Sequence, residues 1–296
     1  MFTAHRFILF IAVLGIGFLP VHGQSVWKPG EISGFSHPES VCQSGNVFYV
    51  SNTGAGVDPV AKDGDGFISK VDPVTGITDL HYLPVEGVLN SPKGMALYKN
   101  VLYVADIDHI EGFDLSTRKR VVDLAVSGTH FLNDLVVANG KLYASATDNG
   151  KIFVMDPATK ECHALNLSDT IVGANGLAFD RISATLYCVG VGTWTKPDGK
   201  IYSIDLSSGK VRVISDYAGM LDGVALKGQT LYFSDWKGTN TKGNLLALDL
   251  GTHTIRELHF SRGEITGPAD FSISEDGKFF IIPAMVEGKV LVEGVE

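Results

Sequence analysis

Short runs of alternating apolar and polar residues, separated by turns, repeat along most of the chain. Five of the turns begin with an Asp that is followed within three positions by Ser or Thr, and they recur at intervals of 42 to 49 residues, at Asp72, Asp114, Asp156, Asp205 and Asp249. Alternation with a period of two is typical of half-buried strands, and Asp with these small residues favours tight turns. The pattern therefore predicts a series of β-hairpins.

A second motif, in which apolar residues flank a Tyr or Phe, recurs out of phase with these turns. Its six copies are residues 47–51, 101–105, 141–145, 185–189, 230–234 and 278–282. Another predicted strand precedes each copy, as at 176–179 and 223–226. Four short strands in about 45 residues, repeated six times, predict an all-β fold, a six-bladed β-propeller with four strands per blade.

The last repeat is incomplete, because only three strands can be placed in it, at about 270–273, 279–283 and 289–292. Residues 26–35 precede the first repeat and have no other partner. We therefore predict that this segment supplies the outer strand of the sixth blade and closes the ring. Independent hairpins are the alternative, but they would be marginally stable and would leave exposed strand edges.

The first 23 residues have the pattern of a signal peptide. An apolar run at 7–18 is broken by Pro20, and Val21 and Gly23 fit positions −3 and −1 of a cleavage site. The run is shorter than the about 20 residues that a membrane span needs, so an uncleaved anchor is the weaker alternative. We expect residues 24–296 to form one propeller domain that is secreted or periplasmic and has no membrane anchor.

Composition narrows the choice of partners. The chain has 33 acidic and 24 basic residues, a net charge of −9, which argues against nucleic acid or an anionic membrane. Hydrophobic residues make up 45% of the chain, enough for a large core and too many for a disordered protein. We therefore expect a small-molecule substrate. The three cysteines lie in different repeats, and we interpret them as buried apolar residues rather than as a disulfide or a nucleophile.

One column of the repeat, at the start of the innermost strand of each blade, is rich in side-chain oxygens. Its six positions hold Glu39, Lys93, Asn133, Asn175, Asp222 and Ala269. The innermost strands of a propeller line the central channel, so we expect these side chains to converge there. Turn chemistry is the alternative, because Asn-Gly and Asp-Gly favour turns, but Glu39 and Asn133 are not followed by Gly.

Two carboxylates and two carboxamides around one point form a site of hard oxygen ligands. Such a site suits Ca²⁺, with Mg²⁺ or Mn²⁺ as alternatives, and it disfavours Zn²⁺ because the column holds no His or Cys. Four protein ligands leave positions for water or substrate, as in catalytic metal sites. The expected chemistry is polarisation of a carbonyl, with a carboxylate ligand as base or nucleophile.

These segments resemble those of the gluconolactonase and regucalcin (senescence marker protein) family of six-bladed propellers. That family is related to paraoxonase, diisopropyl fluorophosphatase and the strictosidine-synthase-like proteins. The resemblance spans essentially the whole mature chain, and its motifs are Pro38-Glu39, Leu132-Asn133-Asp134, Asn175-Gly176-Leu177 and Leu221-Asp222-Gly223. It implies a divalent ion held by Glu39, Asn133, Asn175 and Asp222, with Asp222 also the general base.

One position departs from the sugar-lactone members, which carry an Arg two residues before the first Asn. Here that position is Phe131, which predicts a less polar substrate. Further candidates for substrate binding lie in the column or in the long loops at the same end of the propeller: Lys93, Phe131, His109, His130, Trp194 and Trp236.

These candidates have different expected roles. We expect the two tryptophans to form an aromatic wall, and the histidines to be either acid–base groups or rim residues. Lys93 either binds an anionic group or pairs with Glu39 or Asp222. Residues 62–66 resemble part of a calcium loop, but Ala61 occupies a ligand position, so we interpret them as a turn.

The leading hypothesis is an exported, Ca²⁺-dependent hydrolase of a lactone or other ester, with Asp222 as its catalytic residue. A non-catalytic, metal-containing sensor or ligand-binding propeller is the main alternative. A protein scaffold is a weaker third, because the polar column lies inside the channel rather than on an exposed apolar surface.

Overall fold

The computed structural model describes residues 27–238 and 242–295, so the predicted signal peptide lies outside the described residues. Within these ranges the chain forms 25 strands and a single 3₁₀ turn at Met285–Glu287. No helix among these residues is long and apolar enough to span a membrane.

The strands form six antiparallel sheets, which are the six predicted blades, and in each the chain runs from the channel outward. The first three blades are β2 (Pro38–Ser44), β3 (Val47–Asn52), β4 (Phe67–Asp72) and β5 (Gly76–Leu83); β6 (Pro92–Tyr98), β7 (Val101–Asp106), β8 (His109–Asp114) and β9 (Arg120–Ala125); and β10 (Leu132–Ala138), β11 (Lys141–Ala146), β12 (Lys151–Met155) and β13 (Cys162–Ala164).

The remaining blades follow the same order, with one extra short strand and one strand from the other end of the chain. They are β14 (Ala174–Asp180), β15 (Thr185–Gly190), β16 (Ile201–Asp205) and β17 (Lys210–Val213); β18 (Leu221–Lys227), β19 (Thr230–Asp235), β20 (Lys242–Asp249) and β21 (Ile255–Glu257), with β22 (Ile265–Thr266) beside β20; and β23 (Ser272–Ile273), β24 (Phe279–Ala284), β25 (Lys289–Gly294) and β1 (Gly30–Ser33). The six-bladed, four-stranded architecture is confirmed.

The N-terminal strand closes the ring as predicted. β1 pairs antiparallel with β25, with Glu31 opposite Leu291, and so forms the outer edge of the sixth blade. Arg262 holds this strand in place, since its Nη1 lies 2.9 Å from Glu31 Oε1 and its Nη2 lies 2.6 Å from Glu287 Oε2. Both chain ends therefore contribute to one sheet.

Six hydrophobic clusters hold the blades together, one at each boundary between neighbours. At the closing boundary, Phe48 and Val50 of the first blade pack against Ile281 and Val290 of the sixth. Both faces of each blade are covered by a neighbour, which explains why the second strands are buried along almost their whole length. The three cysteines are free thiols, and Cys188 is fully buried in one of these clusters.

Each innermost strand carries one extra residue just after its start. In the first blade Pro38 pairs with Asn52 but Val41 pairs with Val50, so Glu39 and Ser40 together face a single residue, Ser51. The same one-residue shift occurs in the other five blades. Such a bulge bends the strand and re-aims the extra side chain. In the first five blades the first bulge residue is the position of the oxygen-rich column; in the sixth, Ala269 is the first of three residues, 269–271, that face two residues of β24.

A serine on the second strand accepts the additional backbone N–H in three of the blades. The N–H groups of Ser40, Asp134 and Gly223 donate to the hydroxyls of Ser51, Ser145 and Ser234 at 2.9, 2.9 and 2.8 Å. These are the serines of the recurring second-strand motif. A buried N–H without a partner would destabilise the bulge, so these serines support the oxygen-rich column beside them.

The second bulge residue of one blade packs directly on the bulge of the next. A Cβ added at Gly94 would overlap the backbone and carboxylate of Asp134, and one at Gly223 would overlap the backbone of Asp270. Between the last and first blades, Ser40 Oγ donates to Asp270 Oδ2 at 2.5 Å. The centre of the ring is thus assembled by backbone contact, and its packing leaves no space for a methyl group at these glycines.

We therefore expect Gly94→Ala to lower the free energy of unfolding by about 1–3 kcal/mol, as overpacking of a buried site does. Gly30→Ala is the matched control, because a Cβ there meets nothing within 4 Å. Its effect should stay within about 0.5 kcal/mol. Urea unfolding followed by circular dichroism measures both, and equal effects of the two substitutions would show that the centre of the ring is not closely packed.

Candidate functional site

Four side chains of the oxygen-rich column line one cavity of about 300 Å³. They are Glu39, Asn133, Asn175 and Asp222, the first bulge residues of the first, third, fourth and fifth blades. Their exposed fractions are 4%, 4%, 3% and 9%, so they form the buried base of the cavity at the channel end. The structure brings together the four residues that the repeat alignment placed in one column.

Each of these side chains has one buried oxygen without a hydrogen-bond partner: Glu39 Oε2, Asn133 Oδ1, Asn175 Oδ1 and Asp222 Oδ1. The other such atoms among the described residues are on Glu111, Arg120, Arg262 and Ser272, and the first three of these residues form ion pairs. An unsatisfied buried oxygen costs roughly 1–3 kcal/mol. Four of them lining one cavity form a set of ligands that a cation would satisfy.

Asp222 is held in a defined orientation by its neighbour on the next strand. Trp236 Nε1 donates to Asp222 Oδ2 at 2.8 Å, while Oδ1 is the oxygen without a partner. The carboxylate therefore has one oxygen fixed by the protein and one free for a ligand.

Several carboxyl groups lie close together at the buried base of the cavity. Burial raises the pKa of Glu39, and the nearby carboxylates of Asp222, Asp270 and Asp134 raise it further. Burial likewise raises the pKa of Asp222 to about 7 and that of Asp270 to about 7. Carboxyl groups so close together hold protons in the absence of a cation, and a cation favours their charged forms.

The two other nearby aspartates, Asp134 and Asp270, accept hydrogen bonds from the protein itself. Asp134 accepts the N–H groups of Leu135 and Leu177, both at 2.6 Å, and Asp270 accepts the Ser40 hydroxyl. No group of three or more His, Cys, Asp or Glu side chains within 27–238 and 242–295 is arranged to hold a metal ion. A cation here would depend on the two carboxamides as much as on the two carboxylates.

Lys93 occupies the same bulge position in the second blade and also lines the cavity. Its Nζ donates to the carbonyl oxygens of Pro59 and Ser91, at 2.8 and 2.7 Å, and lies 5.4 Å from the centre of the Phe131 ring. Burial lowers the pKa of Lys93 to about 8. Its hydrogen-bond partners are thus backbone carbonyls rather than Glu39 or Asp222, and it ties the loop that contains Pro59 to the cavity wall.

The remaining wall is apolar. Phe131, Trp194 and Trp236 line it, and the Phe131 and Trp194 rings stack at 6.2 Å with 20° between their planes. The other wall residues were not predicted from the sequence; they are Thr53, Val57, Pro59, Val191, Met220, Met285 and Val286.

A second column of the repeat contains several of these residues. Thr53, Val191, Trp236 and Met285 each directly follow the second strand of a blade, next to the point where that strand pairs with the start of the innermost strand. Alignment of this position across the blades would have identified them. Val57 and Pro59 lie in a loop and Val286 lies in the 3₁₀ turn, at positions that have no counterpart in the other blades.

The two candidate histidines do not reach the cavity. His109 lies on β8, where its Nδ1 is 2.9 Å from Asp108 Oδ1. His130 is at the rim, 76% exposed, with its Nδ1 2.9 Å from Asp148 Oδ2. Neither belongs to the cavity lining, so the ionisable side chains that line it are Glu39, Lys93 and Asp222.

Comparison with known proteins confirms the fold alone. No protein-family model and no curated protein matches the chain. A chain of the nidogen/laminin complex is 22% identical with a TM-score of 0.60, over 76% of this chain and 81% of that chain. A chain of Kuenenia stuttgartiensis hydrazine synthase is 16% identical with a TM-score of 0.60, over 88% of this chain and 76% of that chain. The resemblance to the gluconolactonase and regucalcin family therefore stays a prediction that rests on the motifs themselves.

The carboxyl groups clustered at the base of the cavity predict an unusual dependence of protein stability on pH. Unfolded carboxyl groups ionise near pH 4, whereas the pKa of folded Asp222 is about 7. Between these values the folded protein binds more protons, so this carboxyl makes stability fall as pH rises. Without divalent cations, Asp222→Asn should therefore gain stability relative to wild type from pH 4 to pH 7, by on the order of a few kcal/mol.

Urea unfolding of both proteins in the presence of a chelator, at several pH values, measures this difference. A difference that stays constant across the range would show that Asp222 ionises normally in the folded protein.

Proposed function

We propose that this protein is a divalent-metal-dependent hydrolase of a lactone or other ester, with Ca²⁺ at the base of the cavity. The observation that carries the proposal is the set of four buried oxygens without hydrogen-bond partners, on Glu39, Asn133, Asn175 and Asp222. No other arrangement among the described residues collects so many unsatisfied oxygens around one cavity.

The donor chemistry fits Ca²⁺ best. Ca²⁺ binds about six to eight oxygens and accepts carboxylate and carboxamide ligands in irregular arrangements, whereas Mg²⁺ requires a near-regular octahedron. Glu39 and Asp222 supply two negative charges, and Asn133 and Asn175 supply two neutral oxygens. Mg²⁺ or Mn²⁺ is the alternative cation. Four protein ligands leave coordination positions open toward the cavity.

A bound divalent cation supplies Lewis acidity that polarises a carbonyl oxygen. The part of the protein itself is to hold the reacting groups. Asp222 is the catalytic residue, since it can accept a proton from an attacking water on its carboxylate while Trp236 keeps that carboxylate oriented. The apolar walls exclude bulk water, which strengthens every charge interaction at the base.

We also infer that the protein is exported to the periplasm or secreted. The support is the signal-peptide pattern of residues 1–23. The acidic net charge of −9 supports a small-molecule substrate rather than a nucleic-acid partner.

A non-catalytic, ligand-binding propeller is the second candidate. It is favoured by one observation, the position of His109 and His130 outside the cavity, which leaves Asp222 without an obvious partner for acid–base catalysis. In that case the cation would bridge the protein and its ligand.

Calorimetric titration of Ca²⁺ into protein stripped of metal tests the cation site. We expect one site, with affinity reduced more than tenfold by Asp222→Asn or by Asn175→Ala, because each removes an oxygen ligand or its charge. Asp63→Asn, in the 62–66 turn that resembles a calcium loop, is the matched control and should bind like wild type. Loss of binding in the control instead of the two variants would move the site to that turn.

Turnover tests the catalytic part of the proposal separately. Release of acid from lactones and aryl esters should require Ca²⁺, and Asp222→Asn should lower kcat by at least 100-fold at saturating Ca²⁺, within the range expected for loss of a general base. Circular dichroism checks that the variant remains folded. Full metal-dependent activity in folded Asp222→Asn would contradict the assignment.

A further inference from the structure

We infer that the ligand of this cavity is a carbonyl compound with a largely apolar body, such as an alkyl-substituted lactone, rather than a polyhydroxylated sugar lactone. The carbonyl group rests on the function proposed above. The apolar body follows from the walls and the mouth of the cavity, whatever reaction takes place there.

Nine of the fifteen residues that line the cavity are apolar or aromatic and surround the space above the four oxygens. They are Val57, Pro59, Phe131, Val191, Trp194, Met220, Trp236, Met285 and Val286. Aromatic rings and methionine side chains present large apolar surfaces, and methionine adapts to ligands of different shape. A hydrocarbon body would remove this surface from water.

The polar groups of the wall are already engaged. Thr53 Oγ1 lies 3.3 Å from the carbonyl oxygens of both His37 and Gly56, and its one hydroxyl hydrogen is shared between these two acceptors. Lys93 donates to two backbone carbonyls, and Trp236 Nε1 donates to Asp222. The wall therefore offers few partners for the hydroxyls of a sugar. Buried hydroxyls without partners lose the hydrogen bonds they make in water, which selects against such a ligand.

The apolar wall continues to the outer surface. Val57, Trp194 and Val286 line the cavity and are nevertheless 57%, 48% and 40% exposed. An apolar track therefore runs from the buried oxygens to the solvent. Exposed apolar patches of this kind mark contact sites, and this one is continuous with the cavity. The track predicts a ligand body long enough to reach the mouth.

Trp194, at the mouth of the cavity, has an unfavourable backbone conformation. Its φ of 65° lies in the left-handed region, which side chains larger than glycine rarely adopt. The loop is held by Asp198, whose Oδ1 accepts the Thr193 N–H at 2.8 Å. This backbone holds the indole against Phe131, half exposed, as a platform for an apolar group. Unfavourable backbone conformations that the surroundings maintain are concentrated at functional sites.

The test uses the mature, Ca²⁺-loaded protein and a series of γ-lactones with unbranched alkyl chains, from γ-valerolactone to γ-dodecalactone, with D-glucono-δ-lactone for comparison. Binding is read from tryptophan fluorescence, because Trp194 and Trp236 line the cavity whereas Trp27 packs on Phe48 and Phe279. Hydrolysis is followed separately by acid release.

We expect affinity to rise about two- to fourfold for each added methylene until the chain reaches the mouth, as the burial of one methylene predicts. Trp194→Ala and Val286→Ser should weaken binding of long-chain lactones more than of short ones. Ile182→Ala is the control, since Ile182 is 96% exposed in a turn at the opposite end of the propeller. It should leave the whole series unchanged.

Three results would overturn the inference: gluconolactone binding as tightly as the long-chain lactones, affinity independent of chain length, or no binding by any lactone of the series. The two proposals fail separately. Chain-length-dependent binding without acid release refutes the hydrolase and keeps the apolar ligand. Acid release that is independent of chain length keeps the hydrolase and refutes the apolar ligand.

Discussion

Each blade places one extra residue where its innermost strand meets the channel, and the centre of the molecule depends on how that bulge is accommodated. Its additional N–H needs an acceptor, which a serine of the neighbouring strand supplies in three blades. Its second residue must fit against the next blade, which requires glycine at positions such as Gly94 and Gly223. In these three blades the additional N–H is therefore satisfied without the first side chain of the bulge, and that side chain is free to face the channel.

The cavity follows from this freedom. Glu39, Asn133, Asn175 and Asp222 bring oxygens to the channel that no protein group satisfies. Packing at the blade boundaries buries these oxygens, and burial raises the pKa values of the carboxyl groups. A cation would relieve both the missing hydrogen bonds and the repulsion between the carboxylates. Apolar walls enclose the space above these oxygens.

Most of the fold and the base of the cavity could be predicted from the sequence, because both repeat. Two motifs out of phase predicted the blades, and the missing strand of the last repeat predicted the pairing of residues 30–33 with β25. The column of oxygens could be aligned for the same reason. The pattern of alternation did not predict the bulge, because one extra residue at the start of a strand cannot be distinguished in the sequence from the turn that precedes it.

The wall residues were harder to predict from the sequence, because loops that differ between blades cannot be aligned with one another. Val57 and Val286 could be placed only after the loops had been folded over the cavity. His109 and His130 were proposed from their chemistry and their position in long loops, but their side chains pair with neighbouring carboxylates away from the cavity. The position of Lys93 in the column was predicted, but its hydrogen-bond partners were not. One of its two carbonyl partners belongs to Pro59, whose position depends on the path of a long loop.

The most direct measurement is a crystal structure of the mature protein grown with Ca²⁺, with the cation identified by anomalous scattering. We expect one site, within about 2.3–2.6 Å of Glu39 Oε2, Asn133 Oδ1, Asn175 Oδ1 and Asp222 Oδ1, the usual range for Ca²⁺–oxygen distances. A folded propeller in which these four oxygens are bonded only to water or to one another, at saturating Ca²⁺, would contradict it.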